Sequence, residues 1–350
     1  MMEIFLLADA HHRIGTGHVL RCLWLAEAIR ERGGKVRFLL RESARFARER
    51  VEAEGFPALL VPDEQLGDAG VLLERVQGCA KTANPWVLTD GDEAGWYELG
   101  FQRALRSAGI RLMMIVFPIE GRFEVDILHN QNPRSLDHTY RLLPATRLLA
   151  GPAYLILAPA FRTMGWKQPE ASIRTVFVNF GGADPQDQTV RVCRLLNERF
   201  PHWAQLVVIG GLYSRRPELE GLLKEKPEGP PSRLYQNTPA MASLMREADL
   251  AITAGGLTAW ELGTLGVPNI VLPGSERECL TADYLAKRGK IFFPGPAREV
   301  GDDELWRLLV ALEKNPAQRR GQSRGLFELL NPRGIERVVD ALYEMYSPAP

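Results

Sequence analysis

Short apolar runs, each closed by a Gly- or Asp-containing turn and followed by a stretch of helical periodicity, recur along the chain. Glu3–Ala8 opens as a strand, and Val19, Cys22, Leu23, Ala26 and Ile29 mark one face of a helix over Val19–Arg32. Gly33-Gly34 ends that helix, and Val36–Leu40, Ala58–Val61, Trp86–Thr89, Leu112–Phe117 and Val125–Leu128 read as further strands. From Gly151 to Ala171 the rhythm breaks, with Pro152, Pro159, Gly165 and Pro169 and little periodicity. It resumes with strands at Thr175–Phe180, Gln205–Ile209, Arg233–Tyr235, Leu250–Thr253 and Asn269–Leu272. Helices over Asp187–Arg199, Pro239–Glu247 and Thr258–Leu265 alternate with them, and Ile335, Val338, Val339, Leu342 and Tyr343 mark a last amphipathic helix. Short apolar strands alternating with helices predict parallel sheets covered on both faces. The expected class is α/β, with two Rossmann-like domains facing a central cleft. The first domain is read over 1–155, a linker over 156–172, the second domain over 173–330, and a C-terminal helix and tail over 331–350.

The length of 350 residues fits two domains at about 150 residues each. The charges balance, 43 Lys+Arg against 43 Asp+Glu. That balance removes the global basic field by which proteins hold nucleic acid through its phosphates, so no nucleic-acid partner is expected. Cys22, Cys79, Cys193 and Cys279 lie far apart, with no CxxC pair and no zinc spacing, and read as reduced thiols. Met1–Leu7 has no basic region, and no window approaches about 18 uncharged apolar residues, so neither a signal peptide nor a membrane span is expected. The expected location is cytoplasmic.

Four motifs carry candidate chemistry. Ile14-Gly15-Thr16-Gly17-His18-Val19-Leu20-Arg21 stands between the first strand and the first helix. Its glycines allow close backbone approach, and free N–H groups at a helix start attract anions. It lacks the third glycine of a dinucleotide fingerprint, and Arg41-Glu42, not a lone acid, follows the next strand. His18 at a helix N-terminus reads either as a packing or capping residue or as a neutral ring able to accept a proton. Asn179-Phe180-Gly181-Gly182-Ala183-Asp184 ends a strand of the second domain, as a tight turn or as a diphosphate cradle. Ala254-Gly255-Gly256-Leu257-Thr258-Ala259-Trp260-Glu261 opens a helix with a Gly pair. Its acid reads either as a helix-dipole residue or as an acceptor for two ribose hydroxyls. Asp90-Gly91-Asp92 follows a strand as a polar turn, or as a D-x-D pair of the kind that holds a divalent metal in some sugar-transferring enzymes. His11-His12 reads as loop.

These residues resemble a family. Asp9-Ala10, Ile14 to Leu23 and Leu25-Ala26 are similar to the opening of the UDP-sugar hydrolases of pseudaminic acid biosynthesis, which group with spore-coat polysaccharide proteins. The likeness continues through Gly151-Pro152, Tyr154, Leu157, Pro159 and Phe161, then Gly181-Gly182-Ala183-Asp184-Pro185 and Ala248 to Ile252. It ends with Gly255-Gly256, Thr258, Trp260-Glu261 and Gly266-Val267-Pro268, a block also similar to the lipid II-forming N-acetylglucosaminyltransferase. The resemblance implies the glycosyltransferase-B architecture and hydrolysis of a UDP-linked amino or deoxy sugar without metal or other cofactor. It puts His18 at the reaction centre, where we expect it to act as general base, helped by Asp92. The nucleotide falls to Gly181, Gly182, Asp184, Gly255, Gly256, Thr258 and Glu261, and the sugar and phosphates to Asp9, Gly15, Gly17, Arg21 and Arg277. An inverting glycosyltransferase and a non-catalytic nucleotide-sugar-binding subunit are the alternatives.

The departures from the family pattern gather on the sugar side. Leu7 replaces an expected Arg, Asp92 an aromatic, Phe117-Pro118 a pair of acids, Ala158 and Ala160 an Arg and a Glu, and Arg277-Glu278 an Asn-Gln pair. A site that hydrogen-bonds one sugar rejects analogues that leave its polar groups unpaired, so these losses imply a different sugar or acceptor, or lost catalysis. With no net charge, a diphosphate must be held by local backbone amides. Its affinity should therefore fall only severalfold between 50 and 500 mM salt, measured by UDP titration. A much steeper fall would indicate a basic surface instead.

Overall fold

The computed structural model describes residues 1–9, 17–117, 120–226, 228–330 and 333–346. The chain begins β1 (Glu3–Ala8), α1 (Gly17–Glu31), β2 (Lys35–Arg41), α2 (Arg45–Ala53), β3 (Ala58–Val61), α3 (Ala69–Cys79) and β4 (Trp86–Asp90). It continues with α4 (Ala94–Tyr97), α5 (Leu99–Ser107), β5 (Arg111–Ile115), β6 (Gly121–Phe123), β7 (Ile127–Asn130), β8 (Tyr140–Leu142), β9 (Arg147–Ala150) and α6 (Pro159–Thr163). Then follow β10 (Thr175–Asn179), α7 (Gln188–Arg199), β11 (Ala204–Ile209), α8 (Arg216–Lys224), β12 (Arg233–Gln236), α9 (Met241–Glu247) and β13 (Leu250–Thr253). The last elements are α10 (Gly256–Leu265), β14 (Asn269–Val271), α11 (Glu276–Ala286), α12 (Asp302–Lys314), α13 (Pro316–Leu330) and α14 (Gly334–Tyr346).

Two compact units result, Met1–Pro159 with Arg333–Pro350, and Ala160–Pro332. In the first, seven parallel strands run in the order β3-β2-β1-β4-β5-β7-β9, with β6 and β8 paired apart. Every residue of β1 is buried, as a strand covered on both faces must be. Its side chains alternate between two cores: Ile4 and Leu6 join Val19, Leu25 and Ile29 of α1, while Phe5 and Leu7 join Leu72, Phe101 and Leu105 from α3 and α5. The second unit repeats the plan with five parallel strands, β12-β11-β10-β13-β14. In both sheets the strand order reverses at one point, between β1 and β4 and between β10 and β13. Ligands of open α/β sheets bind beyond the carboxyl ends of the strands at such a point.

Several predicted boundaries shift. The strand read to Phe117 ends at Ile115, and the one read from Val125 begins at Ile127, because the Asp126 carboxylate turns back to accept Leu112 N–H. Helices α2, α3, α5, α8 and α11 to α13 and the β6–β8 pair lay outside the predicted elements. The last amphipathic helix does not stand apart as a tail. Ile335, Val338, Val339 and Leu342 of α14 are buried in the α1 core, and the Tyr343 hydroxyl donates to the Ile29 and Arg32 carbonyls at the end of α1. The segment expected as a linker, 156–172, makes bonds to the second unit. Lys167 N–H donates to Leu265 O, and Arg319, fully buried, gives Nη2 to the Glu170 and Ala171 carbonyls.

Arg319 Nη1 also donates to Leu312 O and Glu313 O near the end of α12, so one guanidinium closes four backbone acceptors, and burial pushes its pKa below the ordinary value. Arg319→Met should leave those carbonyls without their donor and destabilise the fold by about 3 kcal/mol, read as a lower urea midpoint. A loss under about 0.5 kcal/mol would show that the clasp is ornamental.

Candidate active site

At the first reversal point β1 and β4 end side by side. Ala8 pairs with Asp90, and Asp9 N–H donates to Asp90 O at 2.9 Å. Gly91 must be glycine, since a Cβ there would lie 2.2 Å from the Asp9 Cβ. Asp90 is fully buried and takes donors from one face of α1, the i, i+3, i+4 set His18, Arg21 and Cys22. His18 Nδ1 lies 2.7 Å from Oδ1, which Arg21 Nη2 also meets, while Oδ2 accepts from Arg21 Nε at 2.6 Å and Cys22 Sγ at 3.7 Å. Burial alone would raise the Asp90 pKa, but the Arg21 charge and the His18 and Arg21 hydrogen bonds hold it well below the usual carboxylate range. An ionised carboxylate only accepts, so Nδ1 carries a proton, and in the neutral ring Nε2 is the nitrogen that can accept one. Phe117 meets the His18 ring edge to face at 5.5 Å, and its ring lies 5.6 Å from the Arg21 guanidinium carbon. The arrangement is a base oriented by a carboxylate, with an arginine balancing the carboxylate's charge.

The carboxylate on His18 is therefore Asp90, whereas Asp92 is exposed two residues further on. The D-x-D does not present two carboxylates together, because Asp90 is already surrounded by donors. Among the described residues no cluster of three His, Cys, Asp or Glu suits a metal ion. Arg21 is not a free anion ligand, since Nε and Nη2 are committed to Asp90. Asp9 is buried against Arg41, whose Nε donates at 3.0 Å and whose other nitrogens hold Glu93 and the Asp63 carbonyl. Gly17 opens α1 with open space on the side where a Cβ would stand. Gly15, the His11-His12 pair and Pro118 lie outside the described residues. Leu7 faces the core on the opposite side of the sheet from α1, so that departure does not touch this site.

At the second reversal point Asn179 pairs with Thr253. The Asn179 side chain donates to Val208 O at 2.9 Å, and its Oδ1 accepts from Gly181 N–H at 3.3 Å and Thr258 Oγ1 at 3.4 Å. Gly181 sits at φ +83° and Gly182 is exposed. Asp184 turns back onto its own unit's helix. Its carboxylate accepts from Gln188 N–H at 3.0 Å and Thr189 N–H at 2.7 Å, capping α7. Helix α11 is closed by a Ser275–Glu278 capping box, with Arg277 exposed in its first turn. Helix α10 differs: its cap is Gly255, which has no side chain to close the helix start, and whose N–H donates to Thr253 Oγ1 at 3.3 Å. Gly255 at φ +104° and Gly256 at φ +63° turn the chain into that helix in conformations that favour glycine. Glu261, one turn in, is half-buried with no side-chain partner among the described residues, and burial pushes its pKa up to about 7.

Sequence reasoning missed Asp90, Arg41 and Phe117 as members of the first site. Asp90 carried a readable signal, an acid as the last residue of a central strand. Arg41 carried none, and Phe117 only its place among the departures from the family pattern.

No family model matches the chain. It is 24% identical over 357 residues to the spore coat polysaccharide biosynthesis protein SpsG of Bacillus subtilis, covering 99% of both chains. It is 28% identical over 303 residues to an uncharacterized protein of Methanocaldococcus jannaschii, covering 83% of this chain and 59% of that one. The chain thus spans about three-fifths of the archaeal relative's length. The crystal structure of MurG from Acinetobacter baumannii matches with a TM-score of 0.75 at 16% identity, over 99% of this chain and 100% of that one. The fold is glycosyltransferase-B, two Rossmann-like units with parallel sheets. No helix among the described residues is long and apolar enough to cross a membrane.

Glu261 gives a pH test. Its folded pKa of about 7 exceeds the ordinary 4.5, so the folded state holds the proton more tightly than the unfolded chain does. Stability is then lost as pH rises from about 4.5 to about 7. Glu261→Gln should remove that loss, raising stability by about 1–3 kcal/mol at pH 8 and much less at pH 5, in urea unfolding at both. Equal effects at the two pH values would contradict an unpaired, desolvated acid.

Proposed function

We propose that the chain hydrolyses a nucleotide-activated sugar, UDP-linked, in surface-polysaccharide biosynthesis, without a metal. The observation that carries this reading is the open start of α10 with an unpartnered Glu261 one turn in. Exposed amides at a helix start suit a diphosphate, and a carboxylate lacking a partner suits the two hydroxyls of a ribose. In this reading Gly255, Gly256 and Thr258 serve the phosphates and Glu261 the ribose. Gly181 and Gly182 line the turn beside them, while Asp184 keeps its capping task. The name of the Bacillus relative, a polysaccharide biosynthesis protein, supports the context.

The first unit supplies the acid–base group. Water attacks the anomeric carbon as the bond to the β-phosphate oxygen breaks, its electron pair leaving with UDP. His18 Nε2 takes the proton from the attacking water, and the imidazolium is held by Asp90, whose own charge Arg21 balances. The amides at α10 take the charge that develops on the departing diphosphate. The exposed Asp92 is the second carboxylate available to the sugar side. Phe117, beside His18, stands where the related hydrolases have an acid, so the sugar differs from the pseudaminic precursor.

A glycosyltransferase is the second reading, because the fold serves transfer equally well; an acceptor hydroxyl then replaces water. The test is to incubate the protein with UDP-sugars and EDTA and to follow UDP. Release without acceptor is expected. His18→Ala should lower turnover about 10²–10⁴-fold while the Kd for UDP stays within about threefold. UDP that appears only when an acceptor is added makes the protein a transferase. Tight binding with no turnover across the panel makes it a binding subunit, and lost UDP binding in His18→Ala makes His18 a phosphate ligand.

A further inference from the structure

One side chain ties the two glycine turns of the second unit together. Asn179 ends β10 and Thr253 ends β13, and the two are register partners at the reversal point. Asn179 is buried, and its partners fix which way its carboxamide is turned. The Val208 carbonyl on β11 can only accept, so the nitrogen 2.9 Å from it is Nδ2. The Gly181 N–H can only donate, so the oxygen that receives it at 3.3 Å is Oδ1. The same Oδ1 takes the Thr258 hydroxyl, from the first turn of α10, at 3.4 Å. One neutral oxygen therefore joins the Gly181-Gly182 turn to the start of α10. The Asn179 carbonyl also accepts Ala254 N–H at 3.3 Å, directly before the Gly pair that opens α10. On its other side the Gly181-Gly182 turn is braced by the chain after β11. Gly182 O accepts Leu212 N–H at 3.2 Å, and a Cβ on Gly210 would lie 2.4 Å from the Gly182 Cα.

We propose that Asn179 is a positioning residue for the nucleotide diphosphate, which sets the start of α10 against the braced Gly181-Gly182 turn and so holds the α10 amides in place. The proposal rests on the reading of α10 as the diphosphate site. It also divides the work within Thr258. A hydroxyl has one proton, and here Asn179 receives it, so the Thr258 side chain is the link and its main-chain N–H is what serves the phosphates. A neutral amide suits this place. A carboxylate would accept the same two donors, but it would leave the Val208 carbonyl without its donor and repel the diphosphate. Asn179 touches no substrate atom; it acts through Thr258 and Ala254.

The test measures binding of UDP and of uridine to the full chain by calorimetry, with spectra of the free protein labelled with ¹⁵N-glycine. Asn179→Leu, which keeps the volume, should weaken UDP about ten- to thirtyfold and uridine less than twofold. Thr258→Val should weaken UDP about three- to tenfold. Added to Asn179→Leu, Thr258→Val should change the Kd for UDP by less than twofold, because the link is already cut. Effects that multiply make the hydroxyl a phosphate ligand in its own right and overturn the proposal. Equal losses of UDP and uridine binding overturn it too, since they report general damage. Thr258→Ser, which restores the hydroxyl, should recover most of the UDP affinity. Without ligand, the Gly181 amide resonance should move in Thr258→Val and return in Thr258→Ser. A resonance that stays put in Thr258→Val refutes the shared oxygen, even where Asn179→Leu does not fold. If the wild-type protein binds UDP no better than uridine, the reading of α10 fails and takes this proposal with it. UDP binding that survives Asn179→Leu unchanged sinks the proposal alone.

Discussion

The buried charge of Asp90 organises the first unit. A carboxylate taken out of water at the end of a central strand costs several kcal/mol unless donors meet it on every side. Here they come from one helix, with His18, Arg21 and Cys22 spaced so that a single face reaches both oxygens. That requirement fixes the register of α1 against the sheet. It also needs the chain after Asp90 to pass close to Asp9, which only Gly91 allows. Phe117 packs beside His18 and Arg21 on the same side of the pair. Remove the charge at Asp90 and His18 has no fixed tautomer, Arg21 no partner, and α1 no reason for its rotation about its own axis.

The two units treat their acids in opposite ways. In the first, Asp9 and Asp90 are each answered by an arginine. In the second, Asp184 and Glu278 are spent on the ends of α7 and α11, and Glu261 is left unanswered. An acid without a partner is an energetic liability in the empty protein, and such liabilities gather where a ligand is to be held. In the proposed function the first unit's acids are already answered, so that His18 can move a proton without rearrangement, while the unpartnered Glu261 of the second awaits the ribose.

Much of the fold was legible because parallel strands buried on both faces must be apolar throughout. The bounds read for the fully buried β1 and β13 are the observed ones. Helices such as α8 and α13 were not: α8 carries Arg, Glu and Lys on its exposed face, and in α13 the buried face itself includes Arg319, Gln322 and Ser323, which hides the apolar period. The glycine motifs led to both reversal points, because a backbone that must turn into a helix at positive φ writes Gly into the sequence. What they left open was which turn faces a ligand. Gly181-Gly182 and Gly255-Gly256 look alike as sequence, and only the Asp184 carboxylate folded back onto α7 distinguishes them. Asp90 and Asp92 raised the same difficulty: two residues apart, they would share a face in a continuing strand, but β4 ends at Asp90 and the chain that turns away at Gly91 leaves Asp92 exposed.

The placement of α14 has a consequence for biosynthesis. Its buried Ile335, Val338, Val339 and Leu342 complete the α1 core, yet all of the second unit is translated before them. The first unit therefore emerges from the ribosome with an apolar face on α1 still bare, and that face cannot close until residues 160–332 have been made. The second unit, continuous in sequence, has no such wait. The order of synthesis and the order of folding are thus reversed: the half that leaves the ribosome first is the half that matures last, and in the interval its uncovered helix is a surface for chaperones to hold.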